Sequence, residues 1–184
     1  MNPLQNLVSD FQELVTQVPE HIRPFIAMLA GAIPFIEGEV GTTIGVIGGI
    51  NPFVAGLAAA LGNFLSVLVV VAVGSRARTA VVGGRTGPMR APAPGDAEPG
   101  FGDAGRAGES KGRRRFRKWL ARFGVPGASL LGPLAIPTQF TSAMLVASGT
   151  PPARVLRWQA VAIALWTTGT TILVWAALNA IVPS

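Results

Sequence analysis

Apolar and polar positions along this chain fall into three regimes. From Leu4 to Val18 they follow a helical period: Leu4, Leu7, Val8, Phe11, Leu14, Val15 and Val18 share one face, with Gln5, Asp10, Glu13 and Gln17 elsewhere. Asn2-Pro3 supplies a cap and a first helical residue, and Pro19 a stop. The pattern predicts an amphipathic helix over 1–19, lying in a membrane interface or docked on a partner helix. Beyond it the periodicity gives way to long uncharged runs. Phe53 to Val73 and Trp158 to Val182 each exceed the roughly 20 residues that a spanning helix needs. A third run, Phe123 to Ala153, is interrupted by Pro126, Pro133, Pro137, Pro151 and Pro152.

The two halves share an order of signals. Ala32-Ile33-Pro34 leads through small residues to Gly48-Gly49-Ile50-Asn51-Pro52 and then a long apolar stretch. Ala135-Ile136-Pro137 leads through small residues to Ser148-Gly149-Thr150-Pro151-Pro152 and another. The pieces between the prolines are too short to cross a bilayer. Each half therefore reads as a re-entrant helical hairpin (22–50 and 124–150) followed by one transmembrane helix (53–74 and 153–181), within repeats spanning 20–75 and 123–182. Re-entrant backbone is tolerated only where protein or water covers it. One crossing per half makes the repeats inverted, with both hairpin tips near the midplane. The expected class is an all-α integral membrane protein with amphipathic interfacial helices. Gly41, Gly45 and Gly49, and more weakly Ala143 and Ala147, have the spacing that lets helices approach closely.

Charge sharpens the picture. Only 13% of the 184 residues are charged, 49% are hydrophobic, and the mean hydropathy is +0.48. Twelve of the 15 Lys and Arg fall in 76–122 against four acids, which places that linker in the cytoplasm by the positive-inside rule. Its stretch 83–108 is too rich in Gly, Pro and Ala to build a core. At its end Phe116, Trp119, Leu120 and Phe123 sit among Arg113, Arg114, Arg115, Arg117 and Lys118, predicting an interfacial helix over 113–123 on anionic lipid headgroups. Beside a membrane domain this basic segment does not read as a nucleic-acid site. Arg154 and Arg157 then mark the cytoplasmic foot of the last helix, and Trp158 and Trp175, about 26 Å apart along it, its two interfaces. Trp166, midway, is expected to pack inside. The first 20 residues carry acids before any base, so no cleaved targeting segment is expected.

Candidate chemistry is sparse. There is no cysteine and one histidine, His21, so no metal, thiol or cofactor site is expected, and no catalytic motif argues for an enzyme. Glu37 and Glu39 stand out because each would cost at least about 2.5–3.5 kcal/mol in the bilayer centre. Such a pair either lines a polar cavity and carries a proton or serves as a hydrated tip or helix cap. Asn63, in the middle of the first long stretch, and Thr138, Gln139, Thr141 and Ser142 after the second Ile-Pro break can supply hydrogen bonds to a substrate cavity.

Three segments, Ala-Ile-Pro-Phe-Ile-Glu-Gly-Glu at 32–39, Ala-Leu-Gly-Asn at 60–63 and Arg-Phe-Gly-Val-Pro-Gly-Ala-Ser-Leu-Leu-Gly-Pro-Leu-Ala-Ile-Pro-Thr-Gln-Phe at 122–140, resemble the bacterial small multidrug export protein family. The resemblance covers roughly 22–180 without the linker. A more distant similarity is to the DedA membrane proteins, whose paired re-entrant hairpins are linked to proton-dependent translocation of lipid carriers. Glu37 and Glu39 match the acidic first hairpin of that group. Leu134 to Ser142 departs from it, having no base where DedA proteins place arginines. The resemblance implies a multi-pass protein of the bacterial inner membrane, with lipids as partners. Its function would be proton-linked export of small amphipathic compounds or of a lipid carrier, and a homodimer would thicken its thin wall. A non-transporting membrane scaffold is the competing class.

Overall fold

The computed structural model describes residues 3–83 and 123–181, which are all-helical. The basic segment with Arg113, Arg114, Arg115, Arg117 and Lys118, together with its expected helix over 113–123 and nearly all of the linker, lies outside the described residues apart from Phe123. In chain order the helices are α1 (Pro3–Gln17), α2 (Arg23–Gly31), α3 (Glu37–Ile47), α4 (Pro52–Gly83), α5 (123–131), α6 (Thr138–Ala147) and α7 (Pro152–Ile181). A 3-10 turn, Gly132–Leu134, follows α5.

The prolines set these boundaries. Pro52 and Pro152 occupy first helical positions, where a missing N–H costs nothing, and Pro34 and Pro137 sit in the breaks before α3 and α6. With 9, 11 and 10 residues, α2, α3 and α6 are only about 14–17 Å long, half a hydrocarbon core of roughly 30 Å. Among the described residues two helices are long and apolar enough to cross a membrane: Pro52–Ala80, with mean hydropathy 2.3, and Pro152–Ala180, with 1.7. The first continues through Arg76 and Arg78 to Gly83, so 76–83, read from sequence as linker, is helical.

The ends of α3 and α6 and the long helices that follow them match at positions one hundred apart, down to single hydrogen bonds. Both short arms end on a left-handed glycine, Gly49 (φ +82°) and Gly149 (φ +98°). Paired N–H donations close each end: Gly49 to Val46 and Ile50 to Gly45, then Gly149 to Val146 and Thr150 to Leu145, all at 3.0–3.1 Å. The long helices bury matching stripes, Ala55, Ala59, Asn63, Val67 and Val71 on α4, and Val155, Gln159, Ile163, Thr167 and Thr171 on α7. They lie antiparallel, because Phe53 at the start of α4 meets Trp175 near the end of α7, ring centroids 6.4 Å apart, and Gly56 abuts Thr171. Arg78, at the far end of α4, lies against Gly149. The turns at 48–51 and 148–151 are thus at opposite ends of the bundle, about 39 Å apart along α4.

Packing departs from expectation in two places. The protein itself covers much of the apolar face of α1, while Leu4 and Leu14 on that face stay exposed. Leu7, Val8, Phe11, Val15 and Val18 pack with Ile26, Ala30, Ile36 and Ile44 of the first hairpin, so the docking alternative is the one found, with the chain's own helices as partner. Arg23 holds this junction by donating to the carbonyls of Val18 (3.3 Å) and Gly48 (3.2 Å). Of the spaced small residues, Gly41 faces Gly31 and Ala27 of α2, and Gly45 faces Ala55 of α4, whereas Gly49 serves as a cap. Ala147 is exposed, and Ala143, half-buried, lines a cleft with Ser66, Val69 and Val70 of α4. Outward faces of the long helices are apolar, with Leu57, Val69, Leu165 and Leu173 60–70% exposed.

Candidate functional site

The site starts in the turn between α2 and α3. Phe35 (φ +72°) and Glu37 (φ +52°) both hold left-handed backbone, which costs a residue with a Cβ about 1–3 kcal/mol. The turn is held by N–H donations from Ile36 (3.2 Å) and Glu37 (3.0 Å) to the Ile33 carbonyl. Its effect is to turn Glu37 inward, where it is 7% exposed, while Phe35 points out.

Inside, Glu37 meets the second half. Oε1 accepts the backbone N–H of Thr138 and, at 2.7 Å, the Thr138 hydroxyl. Thr138 opens α6, whose N-cap position is Pro137, a residue without a capping side chain. A carboxylate from 101 residues away therefore satisfies an orphan donor and faces the positive end of the α6 dipole. The same hydroxyl lies 2.9 Å from Asn63 Oδ1 and 3.4 Å from Gln139 Oε1. Gln139 Nε2 donates to Asn63 Oδ1 (3.3 Å) and to Ser66 Oγ (2.8 Å). One hydrogen-bonded chain thus runs from Glu37 through Thr138 and Asn63 to Gln139 and Ser66, joining α3, α4 and α6.

Its two ends open differently. A cleft of about 340 Å³ is lined by Glu37, Glu39, Phe35, Leu134, Trp166 and Thr170 among others. Trp166 Nε1–H donates to the Leu130 carbonyl at 2.9 Å and so fixes the indole as its wall. Another cleft, about 510 Å³ and mostly apolar, has Ser66 and Gln139 against Pro34, Val69, Phe140 and Ala143. Phe35, in the first cleft, and Phe140, in the second, touch with ring centroids 6.1 Å apart. The network can therefore hold a proton at Glu37 and pass a change in hydrogen bonding to the apolar cleft.

Glu37, Asn63, Thr138 and Gln139, each singled out in the sequence, are brought together, and Glu39 lines the adjoining cleft half-buried. Ser142 instead donates within α6 to the Thr138 carbonyl (2.7 Å), and Thr141 has no partner. Sequence reasoning missed Ser66, although its place three residues after Asn63 on one helix face was a usable signal. It also missed Thr170, and Thr167, whose hydroxyl packs on Gly38. Arg154 and Arg157 lie apart from the network, in an open cleft with Trp158. Among the described residues no three His, Cys, Asp or Glu side chains gather as a metal ion would require. Comparison with family models, with curated proteins and with solved structures finds no match.

Proposed function

We propose that this chain is a small proton-linked membrane transporter built as an inverted repeat, with Glu37 as its proton-carrying group. The observation that carries the reading is a carboxylate buried in a network that joins α3, α4 and α6, tied to the second half and adjoining an open cleft. Membrane placement is supported by the exposed apolar faces, since only 39% and 22% of the two hydropathy windows are buried. Apolar faces of this extent mark a surface that meets lipid or another protein, and their run along the full length of both long helices favours lipid. Arg76, Arg78, Arg154 and Arg157 all belong to one end of the bundle, which the positive-inside rule assigns to the cytoplasm. The substrate class that fits is a small amphipathic compound or lipid carrier reaching the apolar cleft from the bilayer. Resemblance of 32–39, 60–63 and 122–140 to small multidrug export proteins agrees with that class.

Thr138 is the coupling group. Its one hydroxyl hydrogen can serve Glu37 or Asn63, not both. With Glu37 ionised the hydroxyl donates to the carboxylate. Once Glu37 carries a proton, the carboxyl can donate to Thr138 Oγ1, and the hydroxyl is free to turn to Asn63. Asn63 then relies less on Gln139, whose amide faces the apolar cleft. Proteoliposomes with an imposed pH gradient test this, read by a trapped pH dye and a fluorescent amphiphile. Thr138→Val removes the hydroxyl at constant shape and is expected to lower flux tenfold or more, for a charged hydrogen bond worth about 1.5–3 kcal/mol. Thr138→Ser should retain most of it. A scaffold whose Glu37 merely caps α6 predicts no gradient-driven flux in any variant.

Topology has its own check, made clean by the absence of cysteine. Single cysteines at 51 and 150 are expected to label from opposite sides of intact cells, and one at 100 only from inside. Labelling of 51 and 150 from the same side would sink the inverted arrangement.

A further inference from the structure

Five buried side-chain atoms among the described residues have no hydrogen-bond partner, and all lie in the second half: Ser129 Oγ, Thr141 Oγ1, Gln159 Nε2 and Oε1, and Thr167 Oγ1. None of the four residues is more than 3% exposed. Each unpaired atom in a dry core keeps its full desolvation penalty, and a glutamine with both amide atoms unpaired is the costliest. The fold could have avoided this. One hundred positions before Thr141, Gln159 and Thr167 stand Gly41, Ala59 and Val67, none able to hydrogen-bond through its side chain, and there Gly31 packs directly on the Ala59 backbone. At these matched positions the first half carries no polar side chain, and the second carries unpaired ones.

The free atoms are ordered along the bundle. The Thr167 hydroxyl lies against Gly38, between Glu37 and Glu39 in sequence. Two turns earlier on the same buried stripe of α7, about 12 Å away, is Gln159. Thr141 faces Gly132, and Ser129 is one turn before Gly132 on the same strip of chain. Ala128, next to Ser129 in sequence, packs in one core cluster with Leu145, Val155 and Ile163, and Val155 and Ile163 flank Gln159 by one turn each. Past Gln159, Arg157, Trp158 and Val161 line an open cleft of about 350 Å³ with Arg154.

We propose that Ser129, Thr141, Gln159 and Thr167 line a hydrated seam that gives Glu37 proton access to the end of the bundle bearing Arg154 and Arg157. Water supplies the partners these atoms lack, since a buried water makes about three hydrogen bonds to such groups. The titratable groups on the route are Glu37 and Glu39 at one end and Arg154 and Arg157, with Arg76 and Arg78 of α4, at the other. A proton entering by this route hops along water to the Glu37 carboxylate. No covalent step beyond proton exchange is involved. The cleft at Glu39 is then the opposite access, and the buried network separates the two. The hydration stands on the unpaired atoms alone, and its role as a proton path rests on the transporter reading.

Cysteine accessibility tests the seam without needing flux. Ser129→Cys, Thr141→Cys and Gln159→Cys are reconstituted in proteoliposomes and exposed to a small water-soluble thiol reagent, methanethiosulfonate ethylammonium. Ala59→Cys, the dry counterpart of position 159, is the reference. Labelling at 129, 141 and 159 at least tenfold faster than at 59 is expected, because the reactive thiolate forms only in contact with water. Ser129→Cys is nearly isosteric and keeps the test open should the larger changes perturb folding. If 129 and 159 react no faster than 59, yet react fully after denaturation, the seam is dry and the proposal fails. Gln159→Leu gives the second readout. A proton path predicts slower proton flux in that variant, and unchanged flux overturns the path. Fast labelling without any wild-type flux would retain the seam and reject the transporter instead.

Discussion

Replacing Glu37 by Gln is expected to abolish gradient-driven flux while the protein folds, inserts and melts close to wild type. The expectation rests on what the network asks of this side chain. Glutamine keeps the length of Glu37 and a carbonyl oxygen at Oε1, so it can still accept the Thr138 N–H and hydroxyl and still cap α6. It cannot take up or release a proton. The change therefore separates the two roles the carboxylate could have. Loss of the charge-to-dipole interaction at the α6 N-terminus alone is worth about 0.3–1 kcal/mol, a small change in melting. Glu37→Ala, which removes the acceptor and leaves the Thr138 N–H unpaired, should lower the thermal midpoint as well. Asp at 37 retains a titrating group with a shorter reach, so part of the flux should survive with its pH optimum displaced. Glu39→Gln is also expected to abolish flux, since the two carboxylates share one cleft. The measurement is the pH–flux curve in proteoliposomes beside the melting curve in detergent. A flux curve of wild-type amplitude and pH dependence in the double Gln variant would falsify the proton-carrier assignment.

The second large effect is expected at Gly62. A Cβ there would overlap the Met28 carbonyl, and one at Gly31 would overlap that of Ala59, so α2 and α4 touch backbone to backbone. Carbonyl groups in a helix cannot rotate away as a side chain can. Gly62→Ala should therefore cost about 1–3 kcal/mol, and Gly62→Leu should prevent assembly. Because Asn63 is the next residue, the same change is expected to pull the network apart and reduce flux even in the folded fraction. Gly169 supplies the control. It too lies mid-helix, on α7, but nothing comes within 4 Å of its Cβ position. Gly169→Ala should raise the thermal midpoint slightly, by the roughly 1 kcal/mol that alanine gains over glycine in a helix. Equal melting of the Gly62→Ala and Gly169→Ala proteins would show that α2 and α4 are not in contact.

Much of this organisation could be read from one dimension. Proline and glycine punctuation fixed where α4, α6 and α7 begin and where α3 and α6 end, because a missing N–H and a left-handed cap are local demands that few other residues meet. The scarcity of charge identified the two long apolar helices, and the isolation of Glu37 and Glu39 marked the site, since the cost of a carboxylate among apolar residues does not depend on fold. What could not be read is whatever depends on distance in space. The sequence does not say that Glu37 reaches Thr138 rather than solvent, because their meeting requires both halves to pack with α4 and α7 antiparallel. It left α1 free to lie on lipid or on protein, and only the shape of the first hairpin provides a surface for Val15. It ranked Gly49 with Gly41 and Gly45, though one caps a helix and the others make room for neighbours. Gln159 drew no notice within an uncharged run, since an unpaired amide becomes costly only when neighbouring helices close over it. Local composition thus chose the helices and the carboxylates, and the packing of two similar halves decided which polar atoms find partners.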